Sequence, residues 1–117
     1  MSTKTAKTLL ASQTLAAITA VNVTEWSQTT AYGGLVGVRL TNGAVAPTTA
    51  PGVKVFVGES TGTKRLFYQS TGDVVNGSVN DIVCEIPASA MFVNVTITNG
   101  ATNPITVEAY GQELTTI

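Results

Sequence analysis

From residue 31 onward the chain alternates apolar and polar positions with a period of two. Successive side chains of a strand point to opposite faces of a sheet, so this alternation predicts strands that each lay one apolar row on a shared core. Turn residues such as Gly, Pro, Asn and Asp separate the alternating segments, which is typical of an all-β protein. The predicted strands lie at 35–41, 52–58, 64–70, 80–87, 91–98 and 104–111.

The first thirty residues have a weaker pattern. Their β-branched residues are frequent and no charged residue lies between Lys7 and Glu25, which favours one or two extended segments, at 8–15 and 18–24, after a flexible tip. A short helix lined by Leu9, Leu10 and Ile18 is the alternative. We therefore divide the chain into an N-terminal arm or first strands at 1–28 and a β-sandwich domain at 29–117.

These elements predict one domain, because 117 residues with 44% apolar content can bury a single core. The predicted fold is all-β: a single jelly-roll or Ig-like β-sandwich of about 7–8 strands with an extended N-terminal arm.

One phrase occurs twice in similar form, as "VRLTNGAVAPTT" at 38–49 and "VTITNGATNPIT" at 95–106. The similarity stops outside this window, so it does not indicate a duplicated domain. We interpret each copy as a strand that ends at Asn-Gly, followed by a connection whose Pro lies near the next strand. Because Asn and Gly tolerate left-handed backbone geometry, we expect tight reversals at Asn42-Gly43 and Asn99-Gly100.

Composition restricts the partners. Only 11% of the residues are charged, the net charge is −1, and the six Lys and Arg residues form no basic stripe, so nucleic acid is not expected to bind. No stretch reaches the ~18 consecutive apolar residues of a membrane-spanning helix, and polar residues interrupt the N-terminal apolar run, so neither a membrane anchor nor a cleaved signal peptide is expected. A surface with few charges suits close contact with other proteins.

The residues available for chemistry are few. The chain has no histidine and one cysteine, Cys84, which removes the commonest general base and any thiolate metal cluster. Cys84 alternates with Ile82 and Ile86 and is interpreted as a small buried apolar residue. The seven carboxylates show no spacing that indicates an acid–base pair or a calcium loop. We expect no catalytic, cofactor or metal site, and no enzymatic activity.

Aromatic residues are the candidates for an interface, because a ring can be buried while its polar atom keeps a hydrogen bond. Phe56 and Phe92 fall opposite the Val rows of their strands, so they are exposed or covered by a loop or by the N-terminal segment. The candidate interface residues are Trp26, Tyr32, Phe56, Tyr68, Phe92 and Tyr110.

Two longer segments, "TTAYGGLVGVRLTNGAVAPTTAPGVKVFVGESTG" at 29–62 and "IPASAMFVNVTITNGAT" at 86–102, resemble small tailed-bacteriophage virion proteins of the capsid decoration, or cement, type. The resemblance implies a sandwich that binds the outside of the head and bridges neighbouring capsomers. It implies the major capsid protein and copies of the chain itself as partners, in a dimer or trimer. The implied location is the head surface of the virion, after synthesis in the host cytoplasm, with the arm lying along a neighbour or adding a strand to it.

Two alternatives remain open. A tail or fibre protein with a carbohydrate- or receptor-binding sandwich would use Trp26, Tyr32, Tyr68 or Tyr110 as a stacking platform. An Ig-like adhesion module would carry the same strand and turn phrases.

Overall fold

The computed structural model describes residues 3–23, 25–29, 31–59 and 63–116. These ranges contain no helix, and therefore none long and apolar enough to cross a membrane. The prediction of an all-β protein is confirmed. The strands are β1 (Thr3–Leu15), β2 (Ala20–Asn22), β3 (Trp26–Ser27), β4 (Gly34–Asn42), β5 (Gly52–Gly58), β6 (Arg65–Thr71), β7 (Val79–Ile86), β8 (Phe92–Thr98) and β9 (Ile105–Thr116).

The strands form two antiparallel sheets. Sheet A has the order β1-β9-β4-β7, and sheet B has the order β2-β8-β5-β6. Strand β3 also pairs with β8, on the edge that β2 occupies, so β2 and β3 are two halves of one interrupted edge strand. Counted in this way, the described part of the chain forms four strands in each sheet.

The pairing is nested along the chain. Strand β1 pairs with β9, β2 and β3 pair with β8, β4 pairs with β7, and β5 pairs with β6, as in one long folded hairpin. Rolling that hairpin adds the pairs β4–β9 and β5–β8, which complete the two sheets. This is the double Greek-key arrangement of a jelly roll, and it decides between the two predicted sandwiches because an Ig domain groups its strands differently.

The core consists of the apolar rows that the alternation predicted. Each row points inward from one strand, and burial of each larger side chain contributes about 1.5–3 kcal/mol. The rows are Val36, Val38 and Leu40; Val53 and Val55; Ile82, Cys84 and Ile86; Val93, Val95 and Ile97; and Ile105, Val107 and Ala109.

The N-terminal segment forms the first strands of the sandwich. Strand β1 begins at Thr3, earlier than predicted, and pairs with β9 from Thr3 to Leu15. Its Leu9 and Leu15 lie in the core, and Val23 and Trp26 follow them there. The extended segments predicted at 8–15 and 18–24 correspond to β1 and β2 within the described residues, where the alternative helix is not observed.

The two Asn residues of the repeated phrase share one structural role. Asn42 ends β4 and Asn99 follows β8, and both are buried. The Nδ2 group of Asn42 donates to the carbonyl oxygens of Asp73 (3.1 Å) and Val75 (2.9 Å). The Nδ2 group of Asn99 donates to those of Leu15 (3.0 Å) and Asn103 (2.9 Å). Asn42 therefore holds a remote backbone segment against the end of β4, and Asn99 joins the remote Leu15 to the loop that follows β8.

The left-handed turns expected at Asn42-Gly43 and Asn99-Gly100 are not observed. Among the described residues, the glycines with positive φ are Gly33 and Gly77, and neither belongs to the repeated phrase. Gly100 serves a different purpose, because a Cβ there would overlap the backbone of Thr49. It permits the close approach of the two repeated phrases.

The two copies of the phrase bind each other at one end of the sandwich. The backbone N–H of Thr48 donates to the carbonyl of Ala101 (2.9 Å), and the N–H of Ala101 donates to Oγ1 of Thr49 (2.8 Å). Asn103 adds a bond from its Nδ2 to the carbonyl of Ala46 (3.0 Å). The repetition therefore marks paired loops that join sheet A to sheet B.

Candidate interaction surfaces

The six predicted interface residues occupy four different places, and two of them face inward. Trp26 on β3 is only 1% exposed, and its Nε1 donates to Oε2 of Glu113 (2.7 Å). The prediction of Trp26 as an interface residue is therefore wrong: inward-facing on β3, it fills the space between the sheets and satisfies its one polar atom there. Tyr68 lies opposite the buried Val55 and packs partly against the core.

The outer face of sheet B carries Phe56 and Phe92, opposite the Val rows as the alternation predicted. Phe56 pairs with Asn94, two positions from Phe92, so the two rings are diagonal neighbours within reach of each other. Phe56 also pairs with Leu66 of β6. We name Phe56, Phe92, Leu66 and Phe67 the phenylalanine cluster.

A β-bulge shapes the exposed side of this cluster. The register of β5 and β6 shifts between Val55 and Phe56, which leaves Phe67 as the extra residue. Leu66 and Phe67 are 47% and 46% exposed, whereas Phe56 and Phe92 are half-buried. The cluster therefore offers two accessible apolar side chains beside two half-buried aromatic rings.

Uncharged polar residues surround the phenylalanine cluster. The neighbouring outward positions of sheet B hold Asn22, Asn94 and Thr96, and Lys54 supplies a charge. A shallow cleft of about 550 Å³ continues this surface past Lys54 and Gln69. Such a face can be covered by a partner with little loss of ion hydration.

The outer face of sheet A places Tyr110 across Gly37. The two residues are paired in register, and a Cβ at position 37 would overlap the Tyr110 ring. Val83 pairs with Gly37 from the other side, and Leu35 lies two positions away on the same strand. Tyr110, Val83 and Leu35 are all exposed, so this face also carries accessible apolar groups.

An ion group lies on the same face. Arg39 donates from Nε to Oδ1 of Asp81 (2.8 Å) and from Nη2 to Oδ2 (3.2 Å), and Glu108 lies 4.0 Å from Nε. The hydrogen bond from Arg39 lowers the pKa of the Asp81 carboxyl. Sequence reasoning missed this group, although the alternation had placed Arg39 and Glu108 on the non-core rows of their strands. The register that brings them together is not visible in the sequence.

Tyr32 lines a cleft of about 490 Å³ at one end of sheet A. The other walls include Leu35, Glu85, Gln112 and Glu113. An exposed ring beside carboxylates and an amide is a combination that can stack on a flat apolar face and accept or donate hydrogen bonds around it.

No group of three or more Cys, Asp, Glu or His side chains that could hold a metal ion is found in residues 3–23, 25–29, 31–59 and 63–116. Cys84 is buried in sheet A, where desolvation raises the pKa of its thiol. The structure therefore places the cysteine as the alternation predicted.

Comparison with known proteins shows similarity at the level of the fold. No family model and no curated protein sequence matches this chain. Among solved structures, it is similar to the Bacillus endospore appendage protein of a family of disulfide-linked pili, with 18% identity over 100% of this chain and 92% of that chain, and a TM-score of 0.58.

Two further structures are similar in the same way. A protein of the T13 infectious bursal disease virus particle has 10% identity, covers 96% of this chain and 31% of its own, and has a TM-score of 0.67. The K1 adhesin domain of Lys-gingipain from Porphyromonas gingivalis has 9% identity, coverage of 96% and 97%, and a TM-score of 0.51. Identities this low establish a shared β-sandwich and leave function to be argued from the surfaces.

Proposed function

We propose that this chain is a structural, non-catalytic protein of a bacteriophage virion that decorates the capsid. It binds the major capsid protein on the outside of the head and, together with other copies of itself, bridges neighbouring capsomers. Support comes from the resemblance of 29–62 and 86–102 to small phage virion proteins and from the jelly-roll topology, which viral shell proteins use widely.

The phenylalanine cluster is the observation that carries this proposal. Leu66 and Phe67 expose large apolar surface on a face whose other residues are mostly Asn and Thr. Apolar side chains bordered mainly by uncharged polar groups match the centre and rim of a protein interface. Each contact is small, but a shell repeats it many times, so weak contacts sum to firm attachment.

Co-sedimentation with purified phage particles tests the proposal. The wild-type protein should sediment with particles in a copy number that matches the major capsid protein. The variant Phe67→Lys places a charge in the centre of the cluster and should abolish co-sedimentation while leaving the fold intact, because this side chain is exposed. Val45→Lys is the matched control, since Val45 is an exposed loop residue outside the cluster.

Two results would contradict the proposal. Wild-type protein that fails to sediment with particles does not decorate the shell, and binding that survives Phe67→Lys does not use the phenylalanine cluster. A few copies per particle would favour the tail instead of the head.

A second candidate function follows from the cleft at Tyr32. A carbohydrate- or receptor-binding module of a tail or fibre would stack a sugar on Tyr32 and bond its hydroxyls to Gln112 and Glu85. Glycan-array binding that is lost in Tyr32→Ala, and retained in Tyr110→Ala, would favour this function over decoration.

A further inference from the structure

The four edges of the two sheets are protected to different degrees. An edge strand presents unpaired backbone N–H and C=O groups that can pair with another chain, and proteins block such edges with Lys, bulges or short strands. In sheet B one edge is broken between β2 and β3, and the other contains the bulge at Phe67. Both edges of sheet B are therefore interrupted.

Strand β7 is the unprotected edge of sheet A. Its eight residues from Val79 to Ile86 pair with β4 in continuous register without a bulge. It contains no Lys, Arg or Pro, and its outward valines at 79 and 83 are each 53% exposed. No strand of the described residues pairs with its outer side. This is the profile of a strand that accepts another strand.

Strand β1, at the opposite edge of sheet A, carries Lys4 and Lys7 and has register shifts on both sides of its Lys4–Thr8 segment, which itself pairs with β9 in continuous register. This segment is complementary to β7 in direction. All neighbours in sheet A are antiparallel, so in this four-stranded sheet β1 and β7 run in opposite directions. A second molecule displaced by the width of the sheet, about 19 Å for four strands, would therefore place its β1 antiparallel to β7 of the first. The alternation of directions would continue across the boundary.

The charges at these two edges are also complementary. Register pairs connect Ala6, Gln112, Leu35 and Glu85 in one row across sheet A, and Lys4 lies two residues from Ala6 on the same face. Neither Lys4 nor Glu85 has an ion-pair partner among the described residues. When the second molecule is displaced by the width of sheet A, Ala6 of that copy lies beside Glu85 of the first. Lys4 of the second copy is then diagonally opposite Glu85, within reach of a long side chain.

We infer that copies of this chain associate head to tail by pairing β7 of one molecule with β1 of the next, so that sheet A continues from copy to copy. Pairing of β7 with a second β7 would instead bring the acidic residues Asp81 and Glu85 of two copies together. A head-to-tail contact closes into a ring or grows as an open chain, according to the rotation between copies. This inference rests on one part of the proposed function, the association of copies, and needs no shell.

Analytical ultracentrifugation of the purified chain tests the inference. The average mass should rise above the 12.0 kDa of one chain as concentration increases, and added salt should oppose the rise. Lys4→Glu and Glu85→Lys should each weaken association by roughly tenfold, because each places like charges across the contact. An equimolar mixture of the two variants should restore association, since each contact again joins opposite charges. Val83→Lys should weaken association, whereas Val45→Lys should not.

Several results would overturn the inference. A wild-type chain that stays monomeric up to about 1 mM has no such contact. Association that is unchanged in both charge variants, or that is lost in Val83→Lys alone, means that β1 is not the partner of β7. Failure of the proposed decoration function would look different, because wild-type protein would then associate in solution and still not sediment with particles.

Discussion

Replacement of Asn99 by Ala tests the role assigned to the repeated phrase. Asn99 is 4% exposed and donates two hydrogen bonds, to the carbonyls of Leu15 and Asn103. Each bond contributes about 1 kcal/mol, and the buried carbonyls left without a donor cost a further 1–3 kcal/mol, whereas removal of the Asn99 Oδ1 atom, which is buried without a partner, offsets about 1 kcal/mol. The free energy of unfolding should therefore fall by about 3 kcal/mol. That is a large part of the ~5–15 kcal/mol that stabilises a typical domain.

Urea unfolding followed by fluorescence measures this loss, because the single tryptophan, Trp26, is buried and becomes exposed on unfolding. With a slope of about 2 kcal/mol per molar urea, the midpoint should fall by about 1.5 M. Asn22→Ala is the matched control, since Asn22 is exposed and accepts one bond from Thr96 (2.8 Å). It should cost about 0.5 kcal/mol. A loss below about 1 kcal/mol for Asn99→Ala would refute the role of this side chain in holding the loops.

Asn99→Asp extends the test to pH. The new carboxylate would face two carbonyl oxygens without a donor, which raises its folded-state pKa above the ordinary value of about 3.9. A raised carboxyl pKa means that the protonated form is favoured in the folded state, so stability is lost as pH rises through the folded pKa and recovered below it. The difference in urea midpoint from wild type should therefore shrink as the pH is lowered. A difference in urea midpoint that stays constant as the pH is lowered through the carboxyl pKa would contradict this prediction.

Three further predictions concern single positions. Cys84 should not react with a thiol reagent in the native protein and should react on unfolding, because it is buried and its thiol pKa is raised. Arg39→Ala should raise the pKa of Asp81 to its ordinary range, which NMR titration measures. In the wild type the lowered pKa of Asp81 stabilises the folded protein at pH values above the pKa of the unfolded state. This stabilisation is lost as the pH falls through the folded-state pKa. Gly37→Ala should displace the ring of Tyr110 and cost about 1–3 kcal/mol in urea unfolding, a cost that Tyr110→Ala in the same chain should relieve.

Most of the fold is visible in the sequence because the core rows are continuous. Val36, Val38 and Leu40 alternate with Gly37, Arg39 and Thr41 without a break, and the rows around Val95 and Val107 alternate with outward-facing residues in the same way. A strand buried on one face needs this pattern, so the strands from β4 onward fall within one residue of their predicted places, except that β9 continues past the predicted end at 111 to Thr116. The burial of Cys84 between Ile82 and Ile86 follows from the same rule.

Pairing between strands is where the sequence is least informative. The choice between a jelly roll and an Ig domain depends on which strands become neighbours, and the alternation is the same in both. The ion group of Arg39, Asp81 and Glu108 forms only when three strands pair in the observed register. From the sequence alone, each of these residues is expected to be a charge exposed to solvent. Trp26 was wrongly predicted to lie at an interface because β3 has only two residues. A strand this short shows no alternation that would indicate that the Trp26 side chain points inward.

The prediction of left-handed Asn-Gly turns was wrong for a different reason. Asn-Gly has a strong local preference for left-handed reversals, but the side chain of Asn42 bonds the distant carbonyls of Asp73 and Val75, and that of Asn99 bonds the distant carbonyl of Leu15. Those partners are supplied by the folded sandwich, so local preference alone could not reveal them.

The nested pairing has a consequence for biosynthesis. Strand β9 lies between β1 and β4 in sheet A, and β8 lies between the N-terminal strands and β5 in sheet B. The earlier strands therefore lack their central partners until residues 92–116 have been synthesised. Until then their apolar side chains stay exposed to solvent, while synthesis proceeds at about 5–20 residues per second. Loop closure over nearly the whole chain must precede the pairing of β1 with β9, so we expect slow, late folding. During that interval the uncovered strands are open to capture by chaperones or by other nascent copies.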